Sequence, residues 1–217
     1  MVIFSLFRNR GMLVNQYIHL INSLEWPEKF HVVCVENDSH DLTREVLETW
    51  ASQKHPKYDV HVVGETTGRP FYGSIVLQDR FDILSEAANI GLDKSLELDQ
   101  DYIMFIESDI IFDSDLALEL KKRIDILDAI VAPMVWTIRD KIFYDFWGFR
   151  TLDGEFYPTC KFGEQGEGHH EVLSAGTCLF FKPEHAGRFG KEAIVDFCKT
   201  SPAKIFALRG MHVYHPQ

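Results

Sequence analysis

Basic residues are in short supply. The 217-residue chain has 22 lysines and arginines against 33 aspartates and glutamates, a formal charge of -11. A protein that grips nucleic acid through its phosphates needs a basic stripe, so DNA and RNA are disfavoured as main partners. A small anionic substrate is compatible, because a divalent cation can sit between an acidic protein and a diphosphate. Cysteine is scarce too: Cys34, Cys160, Cys178 and Cys198, none in a CxxC pair. This spacing suits neither a zinc knuckle nor a dense disulfide framework, and points to reduced thiols and a cytoplasmic setting. No apolar run is long enough to span a membrane, and no basic residue precedes the short apolar stretch at 2–7. Internal repeats and low-complexity tracts are absent.

What is present is a composition with a core. Hydrophobic residues make up 46% and charged residues 25%, which suits one large domain over residues 1–217. Compact apolar runs at 2–7, 30–35, 58–63, 102–106 and 129–135 read as buried strands. Between them lie helical stretches at 12–24, 42–53, 77–96 and 116–127; in the first, Leu13, Tyr17, Leu20 and Leu24 share a face. The alternation predicts an α/β fold with a mostly parallel central sheet, whose strand order periodicity does not fix.

The texture changes after residue 136. Trp136, Phe143, Tyr144, Phe146, Trp147, Phe149, Phe156 and Tyr157 crowd a short stretch. This reads as an irregular half of the same domain. Residues 163–170, rich in Gly, Glu and His, read as a loop. Strand patterns follow at 172–181, 205–208 and 211–214, with a helix at 191–199.

In open α/β sheets ligands bind beyond the carboxyl ends of strands. Three such ends carry polar residues: 8–10, 36–41 and 107–109. In an extended segment Glu107 and Asp109 point to the same side, with the small Ser108 between them. Paired carboxylates suit a hard cation, Mg2+ or Mn2+, that also binds substrate phosphates. A plain strand end facing water is the competing reading, but apolar runs flank the pair and buried charge is costly unless paired or metal-bound. Other polar residues also have plain readings: Glu36 and Asp38 as turn and cap residues, Arg80 and Asp196 as surface charges. His169 and His170 fit an exposed loop, and Trp147 or Tyr144 can pack in the core or stack on a sugar ring.

Taken together, these segments resemble the nucleotide-sugar glycosyltransferases of the GT-A fold, chiefly the large inverting family and more distantly the fungal Golgi mannosyltransferase subunits. The likeness covers about residues 2–215. It implies a Rossmann-like α/β/α sandwich, with residues 1–112 binding the nucleotide-sugar and 113–217 facing the acceptor. Residues 30–43 resemble the second strand and its acid-rich turn, which puts Glu36 at the nucleobase or ribose and Ser5 to Arg8 beside the same base. Arg80 and Asn89 fit a helix whose arginine nears the nucleotide. Asp38 and Ser108 join these as expected nucleotide contacts. Residues 102–109 resemble the strand that ends in a metal-binding Asp-x-Asp, with Glu107 in the first place and Asp109 in the second. Residues 192–198 resemble the helix bearing the catalytic base. The usual adjacent Glu-Asp pair is missing, so the role falls to Asp196 or Glu192. Residues 212–216 resemble a closing strand that supplies a histidine near the metal, either His212 or His215.

The activity implied is metal-dependent transfer of a sugar, with inversion, to a glycan, lipid-linked or other hydroxyl acceptor. Further domains are expected if the chain is part of a longer protein. A nucleotidyltransferase is an alternative, but it would want a glycine-rich basic loop after the first strand, and residues 8–11 are a poor one. An inactive carbohydrate-binding or scaffolding domain is the other, kept open by the altered acidic motifs.

Overall fold

A computed structural model describes residues 1–64, 66–73 and 75–216. Strands β1 (Val2–Phe7), β2 (Phe30–Glu36), β3 (Tyr58–Val63) and β4 (Ile103–Ile106) alternate with helices α1 (Gly11–Ser23), α2 (Thr43–Ala51) and α3 (Gln78–Glu97). Then come α4 (Leu116–Leu127), β5 (Ile130–Thr137), β6 (His169–Val172), β7 (Cys178–Phe181), α5 (Ile194–Thr200) and β8 (Ile205–His215). All eight strands form one sheet in the order β3-β2-β1-β4-β7-β5-β8-β6. The first four strands run parallel, as do β5 and β8. β7 lies antiparallel between β4 and β5, and β6 is an antiparallel edge. The α/β class and the mostly parallel sheet are as the alternation implies.

Strand alternation sends neighbouring β1 residues to opposite faces, and each face meets a helix. Ser5 shares a hydrogen bond of 2.8 Å with the Tyr17 hydroxyl of α1. Phe4 faces α3, where a Cβ on Gly91 would come within 2.8 Å of the Phe4 ring and 2.7 Å of Val35. Glycine weakens a helix; at position 91 it is what lets α3 lie close on β1 and β2. Phe189, between β7 and α5, packs on Phe4, Phe105 and Phe197 on the α3 side. Burying each such ring fully stabilises the fold by about 1.5–3 kcal/mol. Cys34, Cys178 and Cys198 are buried, all four cysteines are free, and burial pushes the Cys198 thiol up to about 12. Among the described residues no helix is long and apolar enough to cross a membrane.

Four expectations need correction, all after residue 160. The 163–170 loop gives up its last two residues to β6, an edge strand whose His169 and His170 are both exposed, so no apolar alternation marks it. The strand expected over 172–181 is two strands, because residues 173–177 turn between β6 and β7. The last two short strands are one, β8, with a register shift opposite Pro133 and Met134. The 191–199 helix starts only at Ile194, because Ala193 sits at φ 49, outside helical geometry.

Candidate functional site

The carboxyl ends of β1, β2 and β4 open into a cavity of about 260 Å³. Arg8, Arg10, Asn37, Arg80, Ser108 and Asp109 are among its polar lining residues. A second cavity, of about 300 Å³, lies beside it; Asp145, Trp147 and Thr177 line it with a largely apolar wall. Glu107, Arg80, Leu6 and Leu84 line both, so the cavities meet at the strand end that carries the acid pair.

Asp109 is buried, and its two oxygens have different surroundings. Oδ2 is 2.8 Å from the Arg10 guanidinium and 3.5 Å from His215 Nε2. Oδ1 is buried with no hydrogen-bond partner. Burial works to raise this carboxyl, but the His215 hydrogen bond and the Arg10 charge outweigh it and hold it below its ordinary value. Glu107 goes the other way. Burial, then the charges of Asp109 and Asp145, push it up to about 8 against the pull of Arg80 and Arg10. The two carboxyls are therefore pushed in opposite directions, Asp109 down and Glu107 up.

His215 stacks on Tyr144, with ring centroids 3.8 Å apart. His212 is three residues away on the same strand and so faces the other side of the sheet. Its Nδ1 accepts the Trp136 indole N–H at 3.1 Å, and its ring packs on Phe162. Of the two terminal histidines, only His215 reaches Asp109.

The turn after β2 fits the plain reading of Glu36 and Asp38 as turn residues rather than the nucleotide contacts that the resemblance implied. The Glu36 carboxylate is buried and engaged by Arg44 Nε at 2.6 Å and by the Ser39 N–H at 2.9 Å. Asp38, at φ 56, accepts the Thr67 N–H and hydroxyl, both at 2.6 Å, and the Gly68 N–H at 2.7 Å. Neither lines a cavity; both fasten the turn and the loop that follows β3. Ser5 is committed to Tyr17 on the far face of β1. Asn37 lines the first cavity instead, and its Oδ1 is buried without a partner. A Cβ on Gly64, at φ 112, would lie 2.2 Å from that oxygen. Arg8 lines the same cavity and donates to the Arg69 carbonyl, with its guanidinium over Phe71.

Of the acids expected on the last helix, Asp196 lines neither cavity. Its Oδ2 accepts the Glu192 N–H at 3.0 Å and so pins the turn before α5. Glu192 lines the second cavity, but it is exposed and paired with Lys199.

Sequence reasoning passed over Asp145. It lines the second cavity, accepts the Gly148 N–H at 3.1 Å and accepts the Thr177 hydroxyl at 2.6 Å. Burial pushes it up to about 6 against those two hydrogen bonds. A signal was there to read: Asp145 is the only charged residue in the aromatic run 142–149, the same anomaly that drew attention to Glu107.

Among the described residues, no group of three or more His, Cys, Asp or Glu side chains stands ready to hold a metal ion. The donor set nevertheless fits a small hard cation. Mg2+ and Mn2+ are commonly held by one or two carboxylates, with substrate phosphates and water as the other ligands. The unpartnered Asp109 Oδ1 is such a carboxylate oxygen, with Glu107 and His215 beside it.

No protein-family model matches the chain, and no curated sequence matches it. Solved structures do. TarS of S. aureus (residues 1–349) aligns with a TM-score of 0.64 at 13% identity, over 99% of this chain and 60% of its own. The same TarS fragment in complex with UDP-GlcNAc aligns equally well, with 14% identity over 100% of this chain and 58% of its own. The mannosyltransferase PcManGT from Pyrobaculum calidifontis, in complex with GDP-Man and Mn2+, gives 0.63 at 17% identity over 99% and 56%. The chain spans less than two thirds of each of these proteins. What it shares with them is the fold: the single mostly parallel sheet and its two helical layers are those of the GT-A glycosyltransferases.

Proposed function

We propose that the chain transfers a sugar from a nucleoside-diphosphate donor to a hydroxyl acceptor, with inversion. One observation carries the reading: the acid pair of Glu107, which lines both cavities, and Asp109, whose buried Oδ1 has no hydrogen-bond partner, stands at the strand end where a polar cavity meets a second, apolar one. The first cavity suits the donor. Asn37 lines it at the end of β2, and Arg8, Arg10 and Arg80 line the space a diphosphate needs. The second cavity suits the acceptor, with a largely apolar wall, including the edge of Trp147 where it stacks on Phe81, for a sugar ring or another apolar body. Asp109, with Glu107 and His215 beside it, would hold Mn2+ or Mg2+. Such an ion, when bound, neutralises charge on the departing diphosphate. Donors related to those in the TarS and PcManGT complexes, UDP-GlcNAc and GDP-mannose, are the first to test.

The test is a thermal-shift screen of UDP-, GDP- and dTDP-sugars with and without Mn2+, followed by nucleoside-diphosphate release for each donor that binds. A ligand at 100 times its Kd raises stability by about 2.7 kcal/mol, so a true donor gives a clear shift. The reading requires one donor class to shift the melting temperature in a Mn2+-dependent way and then to be turned over. Donor binding without turnover would favour a non-catalytic carbohydrate-binding domain, and no binding of any nucleotide-sugar would refute the proposal.

A further inference from the structure

We propose that Asp145 is the carboxylate that takes the proton from the acceptor hydroxyl, a role that rests on the transferase reading above. The fold makes a slot for this side chain. A Cβ on Gly148 would fall 2.8 and 2.9 Å from the two Asp145 carboxylate oxygens, and a Cβ on Gly176 would fall 2.4 Å from Oδ2. Only glycine leaves room at both positions. Thr177 then ties the carboxylate to the acid pair. Its hydroxyl donates to Asp145 Oδ2, and its carbonyl accepts the Glu107 N–H at 2.9 Å. Thr177 does this at φ 64, a left-handed conformation that β-branched residues rarely adopt. Strain of this kind persists where the surroundings over-determine it, commonly at active sites.

Of the other acids that line the second cavity, Glu192 pairs with Lys199, and Glu107 belongs to the acid pair with Asp109 at the junction of the two cavities. Asp196 lies outside the cavity and caps a turn. Among the described residues no lysine or arginine forms an ion pair with Asp145. Each of its oxygens accepts one hydrogen bond and keeps a second lone pair for an incoming hydroxyl. A carboxyl raised by burial toward neutrality is also a stronger base than an exposed one.

In the step itself, the acceptor O–H bond breaks and its proton passes to Asp145. The acceptor oxygen's electron pair forms the new bond to the anomeric carbon. The bond from that carbon to the phosphate oxygen breaks, and its electron pair leaves on the nucleoside diphosphate. Asp145 then returns the proton to water.

The experiment uses the full chain with UDP-GlcNAc and GDP-mannose, Mn2+, and water as the acceptor. It measures donor affinity and nucleoside-diphosphate release for wild type, D145N and D196N. Asn keeps an oxygen for the Gly148 N–H and matches Asp in size, so D145N should fold. We expect D145N to lose about 10²–10⁴-fold in kcat while donor affinity stays within about threefold, the split that separates a proton acceptor from a residue that only shapes the pocket. Turnover retained in D145N, or lost in D196N alone, overturns the assignment and leaves the transferase reading intact. Loss of donor affinity in parallel with turnover also overturns it. A wild-type protein that binds donor without releasing nucleoside diphosphate overturns both. If D145N does not fold, T177V takes its place: it removes only the hydroxyl that orients Asp145, about a tenfold fall in kcat is expected, and unchanged turnover overturns the role.

Discussion

Ahead of the acid pair the chain makes its cavity from strand ends and short polar turns; beyond the pair it uses an aromatic run with little regular structure. The first cavity inherits its position from the parallel sheet, where β1, β2 and β4 all finish at one edge. The second is put together from segments far apart in sequence: one face of α3 from Arg80 to Ala88, the 144–148 turn, Thr177 before β7, and the residues leading into α5. Similar volumes thus arise from opposite materials. A donor with a fixed nucleotide handle can be met by repeated backbone geometry, whereas an acceptor is met by side chains that a loop is free to vary.

The division of labour breaks most sharply at Asp109. Asp109→Asn removes the ionised oxygen while keeping the shape. It should abolish Mn2+-dependent donor binding and lower turnover by at least about 10²-fold, the scale at which preorganised charge acts on a leaving group. Calorimetry of UDP-GlcNAc or GDP-mannose binding, with and without Mn2+, checks it. If D109N binds donor in a Mn2+-dependent way as tightly as wild type, the metal assignment fails. The matching lesion in the second cavity, D145N, should spare donor binding, so the two variants together test whether the cavities are separable.

The next largest effect concerns the turn after β2. Arg44 faces the Glu36 carboxylate, which is buried while Arg44 is about one third exposed. Arg44→Ala leaves a buried charge without its partner, which costs on the order of 3 kcal/mol. Urea denaturation measures this. Donor affinity of the folded fraction should change little, because Glu36 lines neither cavity. A large loss of affinity with normal stability would restore Glu36 to the nucleotide contact that the sequence likeness gave it.

These residues also show where sequence reading stops. The strands and helices up to β5 follow from apolar periodicity, because each buries one face or one run. The strand end at 107–109 follows from charge set between apolar neighbours. Asn37 and Glu36 could not be separated that way: adjacent residues at a strand end point to opposite sides, and which side faces the cavity depends on the helix that covers the strand. His212 and His215 differ likewise, since the strand phase beyond the irregularity in β8 is set by its pairing with β5. Asp145 stands out as a lone charge in an aromatic run, but its role does not, because its partners, Gly148 and Thr177, acquire meaning only once the turns before β7 fold against it.

The third prediction compares the centre of the site with its periphery through pH. The folded-state pKa of Glu107 is raised to about 8 from an ordinary value of 4.5. The native state therefore holds a proton that the unfolded chain has released. Stability from this group is present below about pH 4.5 and is lost as pH rises toward 8. Glu107→Gln removes the dependence. It should raise the melting temperature at pH 8 by at least about 2–4 °C, the equivalent of 1 kcal/mol in a domain of this size, with little gain at pH 4.5. Equal gains at both pH values would mean that Glu107 is ionised in the native state, and the functional contrast between the two acids would disappear.

At the outer edge of the sheet the sign reverses and the effect is smallest. His31 Nδ1 and His61 Nε2 lie 3.2 Å apart across β2 and β3. Burial lowers both below the ordinary 6.5; the His61 charge adds to it for His31, and Lys94 adds to it for His61. Asp59 opposes the shift at both sites and Lys29 reinforces it at His31 without reversing it. The native state binds fewer protons here than the unfolded chain, so the pair's contribution is present above about pH 6.5 and is lost as pH falls through the lowered values. Both side chains are partly exposed, which limits the effect to a few tenths of a kcal/mol. His61→Gln should therefore flatten the stability profile between pH 7 and 5 by about 1 °C while leaving the rise of E107Q toward pH 8 untouched. Melting curves of the two single variants and the double variant decide this, because sites this far apart in the fold should act additively. If the double variant is not the sum of the singles, the outer edge of the sheet and the acid pair are electrostatically coupled, and the periphery belongs to the site.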